Sequence, residues 1–321
     1  MNLKTTCFER AIFFSWGCKI KDCAYCYMST QPELRKKDGK QNKQLPRRST
    51  ESILAEAILC KKLGWQIGFF SGGIGAYKTE EFLEVLKDLF AVIGEKIWLN
   101  IGALSQEELQ LFKPYAKGVV ASIETVNPEI HDKVCPSKPI APYLEMFEYA
   151  KEIGLKRAIT IIIGLGETID DFDKLKEMIE TYGVEKIHIY GLNPHKGTSF
   201  ENTEPPSSEY QAEWIKKTRD AFPDIDIQFG IWIDRVGRVS ELLKAGANSI
   251  SKFPAIRLFG SEKAKEIEKQ ARLAGRKFQG TLTMLPDVNW NAEVDSLKLD
   301  ADFKERIKQK LNSYLRKMKK A

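Results

Sequence analysis

The sequence predicts an α/β protein, a (β/α)8 barrel of the TIM type followed by a C-terminal helical extension. Short apolar runs rich in Ile, Val and Phe alternate with longer amphipathic runs over most of the 321 residues. Repeated strand-then-helix units form parallel sheets, and about eight of them in roughly 270 residues close into a barrel. We therefore expect residues 1–280 to form the barrel, and residues 281–321 an extension that packs on it or trails from it.

The expected strands are eight short apolar segments, and the expected helices are nine longer segments with apolar residues at helical spacing. The strands are predicted at residues 11–16, 67–71, 97–102, 119–124, 158–163, 186–192, 226–231 and 248–252. The helices are predicted at residues 50–63, 79–93, 105–112, 142–153, 170–182, 207–221, 235–245, 261–274 and 302–319.

Composition excludes some classes of protein and favours others. The chain is 43% hydrophobic, which is enough for a full core, and it contains no run of about 18 apolar residues that would cross a membrane. The first residues lack an apolar signal segment, so a cytoplasmic protein is expected. Much of the net charge of +6 lies in the basic segment 304–320. We interpret this segment as a solvated helix end rather than a nucleic-acid contact.

Three cysteines carry the strongest functional signal. Cys18, Cys23 and Cys26 lie within nine residues, in the pattern C-x4-C-x2-C. Thiolates are the usual ligands of a [4Fe–4S] cluster, and three of them leave one iron open to a small molecule, as catalytic metal sites do. A zinc site would need a fourth ligand from a histidine or a distant cysteine, and a disulfide would suit a secreted protein. The spacing therefore predicts an enzyme with a reactive iron.

Polar residues and glycines follow the ends of several other predicted strands. Active sites of (β/α)8 barrels lie at the C-terminal ends of the strands, so we expect these residues to share one rim with the cysteine loop. Ser122 and Glu124 are two apart on one strand and face the same side, and adjacent glycines allow a ligand to approach the backbone closely. The group comprises Ser71, Gly72, Gly73, Asn100, Ser122, Glu124, the segment 164–167, His188, Tyr190 and Asn193.

Together these motifs resemble the radical S-adenosylmethionine (radical SAM) superfamily, in its biotin-synthase-like branch, over about residues 10–280. The usual cysteine loop is C-x3-C-x2-C, so the first gap here is one residue longer. The resemblance implies a [4Fe–4S] cluster on Cys18, Cys23 and Cys26. It also implies S-adenosylmethionine (SAM) bound by residues that match the family motifs: Tyr25, Ser71, Gly72, Gly73, Ser122, Glu124, Ile162, Gly164 and Glu167.

Several positions depart from the family pattern. Ile74 replaces the glutamate that usually follows the glycine pair, and Thr160 replaces the first glycine of the adenine-binding motif G-x-I-x-G-x-x-E. Relatives carry an arginine for the SAM carboxylate, but residues 139–143 contain none, so Lys133 and Lys138 are the alternatives.

The resemblance further implies a mechanism. An electron from a reductant protein such as a ferredoxin or flavodoxin passes through the cluster to SAM, and the resulting 5′-deoxyadenosyl radical abstracts hydrogen from a small substrate. Neither a membrane nor a nucleic-acid partner is expected.

The residues at the positions where biotin synthase binds its second cluster limit which reaction of the branch this chain can perform. Asn100, Ser122 and Ala158 occupy the positions of its [2Fe–2S] ligands, which disfavours sulfur insertion of that kind. The runs 122–128, 134–139 and 193–198 resemble the branch that builds the iron-guanylylpyridinol cofactor of [Fe]-hydrogenase, although its first cysteine gap is usually described as five residues. The alternatives are a subunit of an archaeal-type two-component lipoyl synthase and a non-enzymatic iron–sulfur carrier, which would have no use for a SAM pocket.

Candidates for catalysis and substrate binding come from the inward-facing positions of the strands and from the loops at the rim. Cys135, His188 and Tyr190 are catalytic candidates, although Cys135 could equally be a buried apolar side chain and the other two could form a core network with Lys252. Asp234 and Arg235 are expected to form an ion pair at the end of the seventh strand. The candidates for substrate contacts are Asn100, Asn193, Lys196, Gln228, Trp232 and Lys252.

Overall fold

Nine parallel strands run through the computed structural model, which describes residues 4–30 and 45–319. All eight predicted strands are present, and a ninth follows them. The strands are β1 Lys4–Ser15, β2 Gln66–Gly72, β3 Ile97–Asn100, β4 Ala116–Glu124, β5 Lys156–Ile163, β6 Lys186–Gly191, β7 Asp226–Gly230, β8 Ser249–Ser251 and β9 Arg276–Gln279.

Strand β1 closes the barrel. The order β2-β3-β4-β5-β6-β7-β8-β1 is completed by pairing of β1 with β2, so eight strands form a ring, as predicted. On its other side, β1 pairs with β8 only at Cys7 and Phe8. The first residues of β1, Lys4 to Cys7, pair with β9. This pairing explains why β1 begins at Lys4 rather than at residue 11, since the polar start of β1 gives no apolar signal.

Helices cover the outside of the barrel. They are α1 Thr50–Leu63, α2 Thr79–Ile93, α3 Gln106–Phe112, α4 Pro128–Val134, α5 Ala141–Glu152, α6 Phe172–Tyr182, α7 Ser208–Ala221, α8 Val239–Lys244, α9 Glu262–Leu273, α10 Trp290–Asp295 and α11 Ala301–Met318, with short 3₁₀ turns at Tyr27–Thr30, Ile169–Asp171 and Ile233–Arg238. Between residues 4 and 30 and from 45 to 319, no helix combines the length and hydropathy that a bilayer crossing requires.

Most predicted helix bounds hold to within two residues, but three segments differ. The predicted helix 235–245 is a 3₁₀ turn followed by α8, because Arg235 has a non-helical φ of −125°. Helix α4 was not predicted, and Asn127 begins it by accepting hydrogen bonds from the amides of Glu129 and Ile130. The short α10 lies in a segment that the sequence predicts to be irregular.

Alternation along the strands separates two apolar layers. Phe8 and Ile12 face the helices and join the large outer core, whereas Ala11 and Phe69 face inward, together with Trp98, Val120 and Ala158. Each fully buried side chain of this size contributes roughly 1.5–3 kcal/mol. The barrel is therefore packed inside as well as outside, and a ligand can enter only at its ends.

A column of polar side chains crosses the barrel interior below the rim. Lys186 Nζ donates to Glu9 Oε1 and Oε2 at 2.8 and 2.9 Å and to Asp226 Oδ2 at 2.6 Å. Gln228 donates to the same Glu9 carboxylate, and Tyr190 Oη donates to Gln228. Although burial acts to lower it, the carboxylates of Glu9 and Asp226 raise the pKa of Lys186, which stays charged.

A second buried ion network joins β1 to the C-terminal helix. Glu56 of α1 accepts from Arg10 at 2.6 Å and from Arg48 at 2.7 Å, and it is only 2% exposed. Arg48 also donates to Tyr314 Oη of α11 at 2.9 Å. Burial acts to raise the pKa of Glu56, but the two guanidinium groups outweigh it and lower the pKa.

We predict that Glu56→Gln lowers the free energy of unfolding by about 3–5 kcal/mol, because it leaves two guanidinium groups without their carboxylate. Since the folded pKa of Glu56 is lowered, its contribution is complete above the unfolded value of about 4.3 and is lost as the pH falls through the folded pKa. Denaturant unfolding at neutral pH and at about pH 4 and below measures this, and the gap between wild type and variant should narrow in acid.

Glu84→Gln is the matched control, because the pair of Glu84 with Lys87 is exposed to solvent. It should change the free energy of unfolding by no more than about 1 kcal/mol. Equal effects of the two substitutions would contradict a structural role for the Glu56 network.

Candidate active site at the C-terminal rim

The cysteine loop follows β1 and is fixed to two neighbouring segments. Lys19 N donates to Ile74 O at 2.9 Å, which ties the start of the loop to the end of β2, and Ala24 N donates to Val134 O at 2.8 Å, which ties its end to α4. Inside the loop, Cys26 N donates to Cys23 O at 3.1 Å. These bonds hold Cys18, Cys23 and Cys26 at the C-terminal rim of the barrel.

The three thiols of the loop do not converge on a single point. Across residues 4–30 and 45–319, no three His, Cys, Asp or Glu side chains converge closely enough to bind one ion. Zinc requires such convergence, whereas each cysteine of a [4Fe–4S] site binds a separate iron.

The surroundings of the three thiols shift their pKa values in different directions. Burial raises the pKa of Cys26 to about 11 and also raises that of Cys18. The pKa of Cys23 is instead lowered, mainly by a hydrogen bond from the thiol of Cys135. A bound metal deprotonates a coordinating thiol outright, so iron can displace the protons that burial retains.

The glycine pair at the end of β2 is required by the packing of this loop. A Cβ atom on Gly73 would lie 1.8 Å from Gly17 O and 2.8 Å from Cys18 Cα, and one on Gly72 would lie 2.5 Å from the ring of Phe14. Real Cβ atoms do not approach other atoms so closely. Gly73 thus lets β2 touch the backbone that leads into Cys18.

Strand β4 ends in a distorted backbone that directs Glu124 toward the rim. The register with β5 shifts between Ser122 and Glu124, and Glu124 has a φ of 63°. Such bulges and left-handed residues re-aim side chains next to active sites. Lys138 Nζ donates to Glu124 Oε1 at 2.5 Å, with both side chains buried. Glu124 raises the pKa of Lys138 against the opposing effect of burial, so the ammonium stays charged.

A cavity of about 230 Å³ opens at this rim, next to the cysteine loop. Its walls come from β1 to β6, from the cysteine loop and from the segments that follow β6, β7 and β8. It brings together many of the predicted site residues: Tyr25, Cys26, Ser71, Asn100, Ser122, Glu124, Ile162, Tyr190, Asn193, Trp232 and Lys252.

Comparison with known proteins identifies the family. Residues 12–179, just over half of the chain, match the model of the radical SAM superfamily. The chain belongs to the radical SAM superfamily. The matched residues include the end of β1, the cysteine loop, β2 to β5 and most of α6, and the protein is a radical SAM enzyme.

Individual relatives cover different shares of this radical SAM enzyme. It is 36% identical to an uncharacterized protein of Methanocaldococcus jannaschii, over 98% of this chain and 90% of that one. It is 30% identical to the 7,8-didemethyl-8-hydroxy-5-deazariboflavin synthase of Archaeoglobus fulgidus, over 47% of this chain and 48% of that one. Biotin synthases are also among its relatives. Methylornithine synthase has the same fold, with a TM-score of 0.65 and 19% identity over 77% of this chain and 72% of that one.

Several predicted residues of the radical SAM enzyme lie away from the cavity. Glu167 accepts hydrogen bonds from Gly164 N at 2.6 Å and Leu165 N at 2.8 Å, so its carboxylate closes the turn after β5. Lys196 is exposed on the loop after β6, and Lys133 is exposed on α4. Of the two lysines considered for the SAM carboxylate, only Lys138 is buried beside the cysteine loop.

His188 and Gln228 lie below the cavity rather than in its wall. His188 Nδ1 is 2.9 Å from the hydroxyl of Thr160, which does line the cavity. Burial and the positive charges of Lys186 and Lys252 lower the pKa of His188 well below its usual value. The imidazole is therefore neutral and part of the layer that supports the cavity.

Cys135 is buried against the cysteine loop and does not reach the cavity. Its thiol forms a hydrogen bond with Cys23, and its pKa is raised by that hydrogen bond and by burial.

Arg235 lies on the other side of the cavity and forms the expected ion pair with Asp234, at 3.1 Å. It also donates a hydrogen bond to Asn193 Oδ1 at 2.5 Å. Arg235 thus orients a cavity side chain from behind.

Sequence reasoning missed a group of residues in the cavity wall. Phe13 and Phe69 lie two residues from Ala11 and Ser71, so extending the phase of β1 and β2 would have found them. Thr160 likewise lies inside β5, two residues before Ile162. The others lie on loops or at strand ends without periodicity. The missed residues are Phe13, Tyr27, Met28, Phe69, Thr160, Gly191, Leu192 and His195.

We predict that Gly73→Ala prevents proper assembly of the cluster, because its methyl group would collide with the Gly17 carbonyl. A displacement of about 1 Å in such a site costs roughly a hundredfold in rate, so SAM cleavage should fall by about that factor. Iron and sulfide content after anaerobic reconstitution and the yield of 5′-deoxyadenosine measure the effect. Gly237→Ala is the control, because no neighbouring atom lies within 4 Å of the added methyl group. Normal cluster content in Gly73→Ala would contradict this explanation.

We also predict that Lys138→Met lowers the free energy of unfolding by about 3–5 kcal/mol, because it leaves Glu124 buried without its partner. The double variant Lys138→Met/Glu124→Gln should recover most of this loss, since it removes the unpaired charge. Anaerobic denaturant unfolding checks both. Lys174→Met, which breaks a half-exposed pair with Asp171, should cost no more than about 1 kcal/mol. Failure of the second substitution to restore stability would argue against an electrostatic origin.

Proposed function

We propose that this radical SAM enzyme abstracts hydrogen from a small substrate bound in the rim cavity, during biosynthesis of the pyridinol cofactor of [Fe]-hydrogenase. One observation carries the proposal. Of the cysteines in the described chain, only Cys26 lines the cavity, so this space adjoins the cluster loop and offers no thiols for a second cluster. A site of this composition suits hydrogen abstraction without sulfur insertion.

The proposed roles follow from position on the rim. Cys18, Cys23 and Cys26 would hold the cluster, and Lys138 would face the carboxylate of SAM. Tyr25 and Ile162 would contact the adenine, and the backbone of Gly72 and Gly73 with Ser71 would receive the amine. Ser122 and Glu124 would complete the SAM pocket. Glu167 would act through the turn at Gly164, because both of its carboxylate oxygens already accept backbone amides.

The bound cluster and SAM would supply a 5′-deoxyadenosyl radical, and the chain would control what that radical meets. Phe13, Phe69 and Tyr190 give the cavity apolar walls, which exclude water from a reactive species. Next to it, neutral His188 shares a hydrogen bond with Thr160 through Nδ1, while its buried Nε2 has no partner among the described residues. We propose that a ferredoxin or flavodoxin provides the electron.

The alternative of a lipoyl synthase subunit would need ligands for an auxiliary cluster. Cys7 lies on β1 and Cys60 on α1, and both are buried. The thiol of Cys135 forms a hydrogen bond with Cys23. This dispersion disfavours a second cluster within the described residues. The relative named as a deazariboflavin synthase supports a role in the synthesis of a small organic cofactor. Superfamily membership and the cavity favour an enzyme over an iron–sulfur carrier.

The first test is SAM cleavage. After anaerobic reconstitution and reduction with dithionite, the wild type should convert SAM to 5′-deoxyadenosine, detected by mass spectrometry, and Cys23→Ala should give only background. Cys60→Ala, which removes a buried thiol on α1, should retain cleavage. A wild type that assembles its cluster but cleaves no SAM, even with the substrates below, would favour the carrier.

The second test separates the two pathways. Pyridinol precursors should increase the yield of 5′-deoxyadenosine and should be changed in mass. An octanoyl-lipoyl domain should remain unmodified, and sulfur insertion into it would replace the proposed function with the lipoyl synthase alternative.

A further inference from the structure

Lys252 occupies an unusual position in the rim cavity. It directly follows β8, and its ammonium group faces three aromatic rings, with ring-centroid distances of 4.6 Å to Tyr190, 5.4 Å to Phe69 and 5.6 Å to Phe13. Cation–π contacts of this kind partly compensate a desolvated cation. The side chain thus places a positive charge inside apolar walls.

Within the described part of the chain, no side chain forms an ion pair with this charge. Among residues 4–30 and 45–319, no carboxylate lies within ion-pair distance of Lys252 Nζ and no atom accepts a hydrogen bond from it. Lys138 and Lys186, the two buried lysines of the described chain, do have such partners, since Lys186 binds Glu9 and Asp226 and Lys138 binds Glu124. Lys252 is half-buried, and a cation among apolar side chains without a partner is costly, so its three N–H donors are suited to an acceptor brought by a ligand.

The backbone at Lys252 is also strained. Glu124 and Lys252, with φ values of 63° and 70°, are the two non-glycine residues with positive φ in the described chain, and both line this cavity. Strain of this kind clusters at functional sites. A methionine at residue 252 would pack against the same three rings without the cost of a charge, so packing alone does not account for a lysine there.

We propose that Lys252 binds an anionic group, a carboxylate or a phosphate, of a substrate whose remaining part is apolar or planar and packs against Phe13, Phe69 and Tyr190. This inference rests on the proposed function, because it assigns a substrate class to the same cavity. The pair of Glu124 with Lys138 carries no net charge. Lys252 therefore gives the cavity a preference for anions.

SAM itself carries a carboxylate, and the barrel topology separates the two possible sources. In the ring of eight strands, β4 and β8 are four strands apart and stand on opposite sides. Lys138 pairs with the residue that ends β4, beside the cysteine loop, whereas Lys252 follows β8. We assign the SAM carboxylate to the side of Lys138 and the substrate anion to the side of Lys252.

The experiment compares an anion with its neutral isostere. Benzoate, phenyl phosphate and benzamide are titrated anaerobically into the reconstituted holoenzyme, with and without SAM, by calorimetry. Benzoate or phenyl phosphate should bind at least about tenfold more tightly than benzamide, as expected for a charge-assisted hydrogen bond. Lys252→Met should abolish this preference, and Lys252→Arg should retain it. Lys263→Met, the same change on an exposed helix, should behave as wild type.

Two further measurements distinguish a loss of anion binding from a loss of folding, of the cluster or of SAM binding. Iron content and melting temperature verify that Lys252→Met folds and holds its cluster, and Lys252→Gln provides a second neutral variant if it does not. The affinity for SAM is measured in each variant. It should remain near the wild-type value in Lys252→Met, because Lys138 faces the SAM carboxylate.

Three outcomes would overturn the inference. They are equal binding of benzoate and benzamide by the wild type, no binding of either anion, and a loss of SAM affinity in Lys252→Met that matches its loss of anion binding. The last result would assign Lys252 to SAM. An anion preference that depends on Lys252 in a protein that cleaves no SAM would instead retain the anion site and refute the proposed function.

Discussion

The buried ion pair between Lys186 and Glu9 is the constraint on which the cavity depends. Charges inside an apolar barrel must be paired, and the Glu9 carboxylate that accepts from Lys186 also accepts from Gln228. Gln228 then accepts from Tyr190, whose ring is the nearest aromatic contact of Lys252. The orientation of side chains at the rim is therefore set by a pairing requirement at the opposite end of the barrel.

At the rim, unlike in this regular interior, the backbone is distorted at positions that line the cavity. Strand β4 ends in a register shift and a left-handed residue, and β8 is followed by another. Each distortion places a charged side chain in the cavity, Glu124 with its partner Lys138 and Lys252 without one. In the part of the chain that the structure describes, the space bordered by the cysteine loop thus has a neutral pair on one side and, on the opposite side, a positive charge without an ion-pair partner.

The sequence predicted the barrel well because amphipathic helices and apolar strands alternate clearly. It could not reveal β9 or the start of β1, whose polar residues carry no apolar signal. Strands buried on both faces lack a polar–apolar alternation, so Phe13 and Phe69 can be found only by counting two residues along the strand from Ala11 and Ser71. The sequence offered Lys133 and Lys138 as partners for the SAM carboxylate. Which of them lies beside the cysteine loop depends on how the segment after α4 folds back on β4. The turn made by Glu167 could not be foreseen, since a motif does not show which hydrogen bonds a carboxylate already makes.

The anchoring of the cysteine loop bears on how its length should be interpreted. Gly73 and Ile74 fix the backbone around Cys18, and Val134 fixes the backbone after Cys23. Between these anchors, Lys19, Lys21 and Asp22 are exposed to solvent. An added residue there can bulge outward while both cysteines keep their places. The number of residues between the first two cysteines then changes only the exposed part of the loop. It is a poor guide to which reaction the enzyme performs.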